Sequence, residues 1–205
     1  HNGMWDLSIL QLVPGMHIAA PRDGATLRLA MRESVAITDA PSAVRFPKGA
    51  LGPDVPSVRV IDGMDVLRDG SDVLLVAVGA MASTALEVAE RVAHQGISVT
   101  VVDPRWVKPV NPELVKLAAR HALVVTAEDS GRVGGVGAAI DLALRDAGLD
   151  VPTLTFGIPQ RFLEQGKRDA LLVELGLGAQ EIARAIVEAV AVREPAITDE
   201  LAQDR

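Results

Sequence analysis

Asp72-Val-Leu-Leu-Val-Ala-Val-Gly79 is apolar on both faces of an extended chain. A strand without a polar face is buried on both sides, as in a parallel sheet covered by helices. Working outward, Ala122-Leu-Val-Val-Thr126 has the same character, as does most of the run 151–158. Ile97-Ser-Val-Thr-Val-Val102 is more mixed, but Ser98 and Thr100, which share a face, are both small. Helical patterns separate these runs. Residues 81–94 place Ala85, Leu86, Ala89 and Ala93 on one side, and Gln95-Gly96 closes that helix. Asn111 followed by Pro112 is a strong helix start, with the helix reaching about His121. Gly134-Gly-Val-Gly137 opens another helix that runs to about Ala147. Further helices are expected over 168–175 and 179–192, the last with Ile182, Ile186 and Val190 on one stripe. The expected domain, 72–193, is α/β with a mostly parallel sheet, followed by a polar tail over 194–205.

Upstream the pattern is strand, helix, strand. After a loop and short helix up to Met16, His17-Ile-Ala-Ala-Pro21 is a short strand. Asp23 caps a helix that carries Leu27, Ala30, Met31 and Ala36, and Ser42-Ala-Val-Arg-Phe46 is the next strand. A unit of this length is a right-handed parallel crossover. Residues 51–71, with Gly52, Pro53, Pro56, Gly63 and Gly70, are expected to be an interdomain linker with a short edge strand over 58–61. The upstream unit is thus 1–50.

Composition narrows the function. Of 205 residues, 49% are apolar but only 2% aromatic, so Ala, Val and Leu fill the interior. The net charge of −7, without a basic run, argues against nucleic acid or an anionic membrane surface as a partner. The absence of cysteine excludes disulfides and thiolate metal sites. No apolar run approaches the ~20 residues of a membrane span. His1-Asn-Gly-Met-Trp-Asp6 is neither basic nor apolar, unlike a signal peptide. A cytoplasmic location is the expectation, as is origin in a longer polypeptide, because a structured pattern starts at His1 without an initiator Met.

Several residues invite chemistry. The Gly134–Gly137 cluster suggests a phosphate loop, but its spacing fits no nucleotide fingerprint, and Glu128 and Asp129 would repel phosphate. A tight turn of small residues is the better account. Asp103, Glu128 and Asp129 sit at strand C-terminal ends, where such sheets bind ligands, yet solvated turn carboxylates are the expectation. Arg105, Trp106 and Lys108 fit an interface or a packed long turn equally well. His94 and His121 fall near helix C-termini, a capping position, and His17 is ambiguous. His1 has no visible partner. Arg45 and Lys48 flank Phe46-Pro47, where two cations suit a phosphate, although surface charge explains them as well.

The whole run matters more than any one residue. His1-Asn-Gly-Met-Trp-Asp-Leu7, Val13-Pro-Gly-Met16, Ala20-Pro-Arg-Asp23 and Val44-Arg-Phe-Pro-Lys-Gly49 resemble the 1-deoxy-D-xylulose-5-phosphate synthase family. Val101-Val-Asp-Pro-Arg-Trp-Val-Lys-Pro109, Glu128-Asp129 with Gly134-Gly135, and Gly157-Ile-Pro159 continue the match in the same order. The resemblance implies the end of a thiamine-diphosphate-binding pyrimidine domain followed by a transketolase C-terminal domain. It implies a homodimeric enzyme that condenses pyruvate with D-glyceraldehyde 3-phosphate, releasing carbon dioxide, on thiamine diphosphate and Mg2+. That product feeds non-mevalonate isoprenoid synthesis and thiamine synthesis. By position, His1 corresponds to a histidine beside the reacting carbon, and Lys48 to a cation on the aldehyde phosphate. Many members have Arg at that place, and Lys keeps the charge without the bidentate fork. Arg45 is a neighbour in the substrate site. No cofactor-binding or metal-binding residue is expected in this chain, which alone would be inactive and would depend on a missing N-terminal segment. Two other readings remain: another transketolase-like thiamine enzyme, such as an oxoacid dehydrogenase beta subunit, or a non-catalytic dimerisation module.

Overall fold

The computed structural model describes residues 4–50 and 52–192. In chain order the elements are α1 (Asp6–Gln11), β1 (His17–Ala19), α2 (Gly24–Ala36), β2 (Ser42–Val44), β3 (Arg59–Ile61), β4 (Met64–Arg68) and β5 (Val73–Ala77). A single 3-10 turn, Gly79–Met81, leads into α3 (Ala82–Ala93), β6 (Val99–Asp103), β7 (Trp106–Lys108), α4 (Pro112–Ala118) and β8 (Leu123–Gly131). The chain continues with α5 (Val136–Asp146), β9 (Thr153–Ile158), α6 (Arg168–Glu174) and α7 (Ala179–Ala191).

The larger sheet has six strands in the order β3-β4-β6-β5-β8-β9. β6, β5, β8 and β9 are parallel neighbours, with Val73 opposite both Val99 and Leu123. All five residues of β5 are buried because the sheet has a core on each side. Val73, Leu75 and Ala77 face one cluster with Val88, Val92, Ile182 and Ile186 from α3 and α7. Leu74, Val76 and Val78 face the other, with Leu114, Ile140 and Leu144 from α4 and α5. The α3 stripe of Ala85, Val88, Ala89 and Val92 has the spacing that keeps one helix face on a sheet.

The first unit is not independent of this core. Leu7, Ile18 and Ala20 join the cluster on the α4 and α5 side. β1 and β2 pair in parallel, as the crossover pattern requires. The helix between them starts on the expected cap: Asp23 accepts a hydrogen bond from the Thr26 amide at 2.8 Å. Asn111 caps α4 in the same way through the Glu113 amide, 2.8 Å.

Two expectations are corrected. In the stretch 51–71 the short edge strand expected over 58–61 is present as β3 at the edge of the large sheet, but the rest is more than a linker. β3 and β4 form an antiparallel hairpin, and β4 pairs antiparallel with β6, so the hairpin extends the large sheet. Its two-residue turn is Asp62-Gly63, both with positive φ (46° and 78°), the geometry such hairpins need. Val55 in the approach is also tied down, its amide to Asp23 and its carbonyl to Arg22, both at 2.9 Å. The long turn after Asp103 contains β7, which pairs antiparallel with β1. β7 thus completes a three-stranded sheet, β2-β1-β7, shared between the two halves of the chain.

Candidate functional site

The acids at the strand ends organise the edge of the molecule, and they are buried, not solvated. Asp103, Glu128 and Asp129 are each inaccessible to solvent. A buried carboxylate needs partners, and each has a different set.

Glu128 answers the glycine cluster. Its carboxylate accepts from the Val136 amide at 3.1 Å, the Gly137 amide at 2.9 Å and the Ser130 hydroxyl at 2.5 Å. The N-terminus of α5 therefore holds an internal anion, and the site is not available to a phosphate. A side chain on Gly135 would overlap the Gly131 carbonyl and the Glu128 carboxylate, and one on Gly137 would overlap Thr126 and Thr155. Burial pushes the Glu128 carboxyl above its ordinary pKa, against the lowering effect of these donors.

Asp103 belongs to a cluster at the junction of β1, β4 and β6. Arg22 Nη1 donates to Asp103 at 2.8 Å and to Asp65 at 2.5 Å, with Asp23 3.5 Å from Arg22 Nε. Burial pushes the Asp103 carboxyl up to about 6, and Asp65 adds to the rise, while Arg22 and the Arg105 amide oppose it. Beside it, Arg105 grips both oxygens of Glu33 at 2.6 and 2.7 Å, and Trp106 donates to the same carboxylate at 2.8 Å. Lys108 donates to the Gln11 and Val13 carbonyls at the end of α1, 2.5 and 2.7 Å. Of the two readings of Arg105, Trp106 and Lys108, the contacts fit the packed one: all three side chains are bonded within the chain. His121 is also internal, held between the Leu117 carbonyl and the Thr100 hydroxyl, each at 2.8 Å.

Asp129 sits where the two halves meet on the open side. One carboxylate oxygen pairs with Arg45 Nη1 and the other with Arg168 Nη2, the latter at 2.6 Å. Its backbone carbonyl accepts from Arg45 Nη2 at 3.0 Å. Arg45 Nε reaches Asp6 at 3.1 Å. The guanidinium of Arg45, expected beside substrate, is thus committed to Asp129 and Asp6. Lys48 is different: it is exposed, and among the described residues it has no hydrogen-bond or ion-pair partner. His1 lies outside the described residues. Met4 and Ser8 are held by the same strand, because the Gly131 amide donates to the Met4 carbonyl and Ser8 donates to the Gly131 carbonyl at 3.3 Å. An apolar groove of about 580 Å³, lined by Met4, Trp5, Ile9, Val133, Ile158 and Phe162 among others, opens on this edge.

The described residues do not fit a metal–diphosphate group. Among them no three His, Asp or Glu side chains converge on a possible metal position, and the carboxylates at the strand ends are all engaged by protein donors. No helix of the described residues is long and apolar enough to cross a membrane.

Residues 62–182 match the family model of the transketolase C-terminal domain. The chain belongs to the transketolase C-terminal domain family. Residues 1–53 match the transketolase pyrimidine binding domain, so both transketolase models fall in the order expected. The chain is 61% identical, over 98% of its length, to 1-deoxy-D-xylulose-5-phosphate synthase of Frankia casuarinae, and 58% identical, also over 98%, to that of Thermobifida fusca. It spans about a third of the length of these curated relatives, 32% of each. A split-gene transketolase solved as an inactive beta4 tetramer superposes with TM-score 0.79 at 30% identity, over 92% of this chain and 62% of that one. A transketolase variant from Pichia stipitis, at 16% identity and TM-score 0.72 over 93% of this chain and 27% of its own, shares the fold.

Arg22, Asp65, Asp6 and Arg168 escaped the sequence reading. The signal available was the pair Glu128-Asp129 inside an otherwise apolar strand. Two acids there demand donors elsewhere in the chain, backbone amides for Glu128 and cations for Asp129, but nothing in spacing says which.

Proposed function

We propose that this chain forms the C-terminal part of a 1-deoxy-D-xylulose-5-phosphate synthase, a transketolase-type transferase that joins pyruvate to D-glyceraldehyde 3-phosphate with loss of carbon dioxide. The identity with such synthases over nearly the whole chain supports the reaction class. The observation that carries the site assignment is Lys48, an exposed cation without a partner among the described residues, beside an Arg45 whose charge is already matched. Lys48 binds the phosphate of the aldehyde by a charge-assisted contact, and that remote binding energy orients the reacting carbonyl. Arg45 supports this end of the strand from behind and does not touch the phosphate. His1 serves as the acid–base partner of the substrate hydroxyl. Thiamine diphosphate and Mg2+ would be held by residues other than the described ones. The enzyme works as a homodimer in the cytoplasm and supplies the non-mevalonate isoprenoid route and thiamine synthesis.

The test is steady-state kinetics of a polypeptide of the relatives' full length that carries this chain as its C-terminal part. Lys48→Ala is expected to raise KM for D-glyceraldehyde 3-phosphate by roughly ten- to a hundredfold, the loss of one charge-assisted bond, with kcat changed far less. An unchanged KM removes Lys48 from the phosphate site, and no product from these two substrates removes the reaction itself.

A further inference from the structure

Two residues at the C-terminal end of β8, Asp129 and Gly131, hold segments from the first half of the chain. Asp129 binds Arg45, which precedes Lys48 by three positions, through its carboxylate and its carbonyl. Gly131 binds Met4, three positions after His1, and Ser8. The ladder between β1 and β2 also reaches this point, because the Arg45 amide donates to the Ala19 carbonyl at 2.8 Å. Strand β2 ends at Val44, so beyond Arg45 no further strand pairing holds the Phe46–Gly49 turn. The Arg45 side chain is the last fixed point before Lys48.

We propose that Asp129 is a positioning residue for phosphate recognition: by clamping Arg45 it sets the direction in which the Phe46–Gly49 turn presents Lys48 to the aldehyde phosphate. The proposal rests on the reading of Lys48 given above. Asp129 is suited to the task for three reasons. It is inaccessible to solvent, so its bonds are not screened. It lies between two register points with β9, Ala127 opposite Phe156 and Gly131 opposite Ile158, which tie down the strand on both sides of it. It is held from its second oxygen by Arg168 of α6, so its carboxylate has one orientation. Arg45 also carries Asp6 on its Nε, so the guanidinium stays charge-matched and leaves the phosphate to Lys48.

The test compares two aldehyde acceptors, D-glyceraldehyde 3-phosphate and unphosphorylated D-glyceraldehyde, in the full-length enzyme. Asp129→Asn keeps the shape and one acceptor oxygen but removes the charge, and Arg45→Lys keeps the charge but loses the fork. Both are expected to raise KM for the phosphorylated acceptor roughly fivefold to tenfold, as a small misplacement of a binding group does. KM and kcat with the unphosphorylated acceptor stay unchanged. Asp129→Asn placed on Lys48→Ala adds nothing further, because the two act through one contact. An equal loss with both acceptors, or an additive double variant, overturns the proposal and leaves Asp129 a structural acid. If Lys48→Ala itself fails to distinguish the acceptors, the reading of Lys48 falls and the proposal falls with it. If Lys48→Ala does distinguish them and neither Asp129→Asn nor Arg45→Lys does, only the positioning role is lost.

Discussion

Two ion clusters join the halves of this chain, and they are built with different charge balance. Around Arg22, one guanidinium faces Asp65 and Asp103 directly, with Asp23 adjacent. Around Asp129, one carboxylate faces Arg45 and Arg168, and Asp6 completes Arg45. The first cluster has more acid than base and is closed, with the Arg22 side chain 5% exposed. The second is balanced and lies at the open edge, with Arg168 33% exposed. The difference separates two uses of buried charge. An excess of carboxylates sealed from water raises the pKa of one acid, Asp103, in a cluster whose contacts join the two halves. A balanced cluster at an edge ties the end of β2 to the end of β8.

The largest effect should come from breaking the closed cluster. Arg22→Met leaves Asp65 and Asp103 without their cation, and a loss of about 3–5 kcal/mol is expected at pH 8, the cost of uncompensated buried charge. The loss shrinks at pH 5.5, where Asp103 can take up a proton and become neutral. Urea unfolding at the two pH values measures both. An equal loss at each pH would mean that Asp103 is not the acid that responds.

Next in size is the pH dependence of the native protein. The folded-state pKa of Asp103, about 6, lies above its ordinary value of 3.8. The folded form therefore binds the proton more tightly than the unfolded form. The stabilisation from this group is complete below the ordinary pKa and is lost as pH rises through about 6. Asp103→Asn should flatten the decline in Tm between pH 4.5 and 7 relative to the native chain. A parallel decline in both proteins would assign the dependence to other groups.

The smallest effect should be at the open edge. Arg168→Ala removes a partly exposed partner of Asp129 and is expected to cost about 1 kcal/mol or less, after screening by solvent. A loss as large as that of Arg22→Met would erase the distinction between the clusters.

The strands and the caps were legible because each is decided locally. β5, the first part of β8 and much of β9 are apolar on both faces, and Asp23 and Asn111 sit directly before their helices. The hairpin β3–β4 carried a local signal, Asp62-Gly63, but the scattered Gly and Pro around it suggested a linker. β7 had no such signal, since a three-residue strand is defined only by the β1 edge it meets. The burial of Asp129 was hidden for the same reason: its partners lie 84 and 39 residues away, and no spacing rule encodes them. For Lys48 the residues alone left a phosphate-binding cation and plain surface charge both open, and its exposure without a partner among the described residues became visible only with the fold.

β7 bears on how such proteins can be recombined. The two family matches leave a gap after residue 53 and before residue 62, which looks like a natural place to cut and splice. Yet Trp106–Lys108, from beyond the gap, is stitched to the β1 edge that lies before it. A chimaera spliced at the gap inherits a foreign edge for that stitch, so the border between modules drawn from sequence crosses a seam the backbone has already sewn shut.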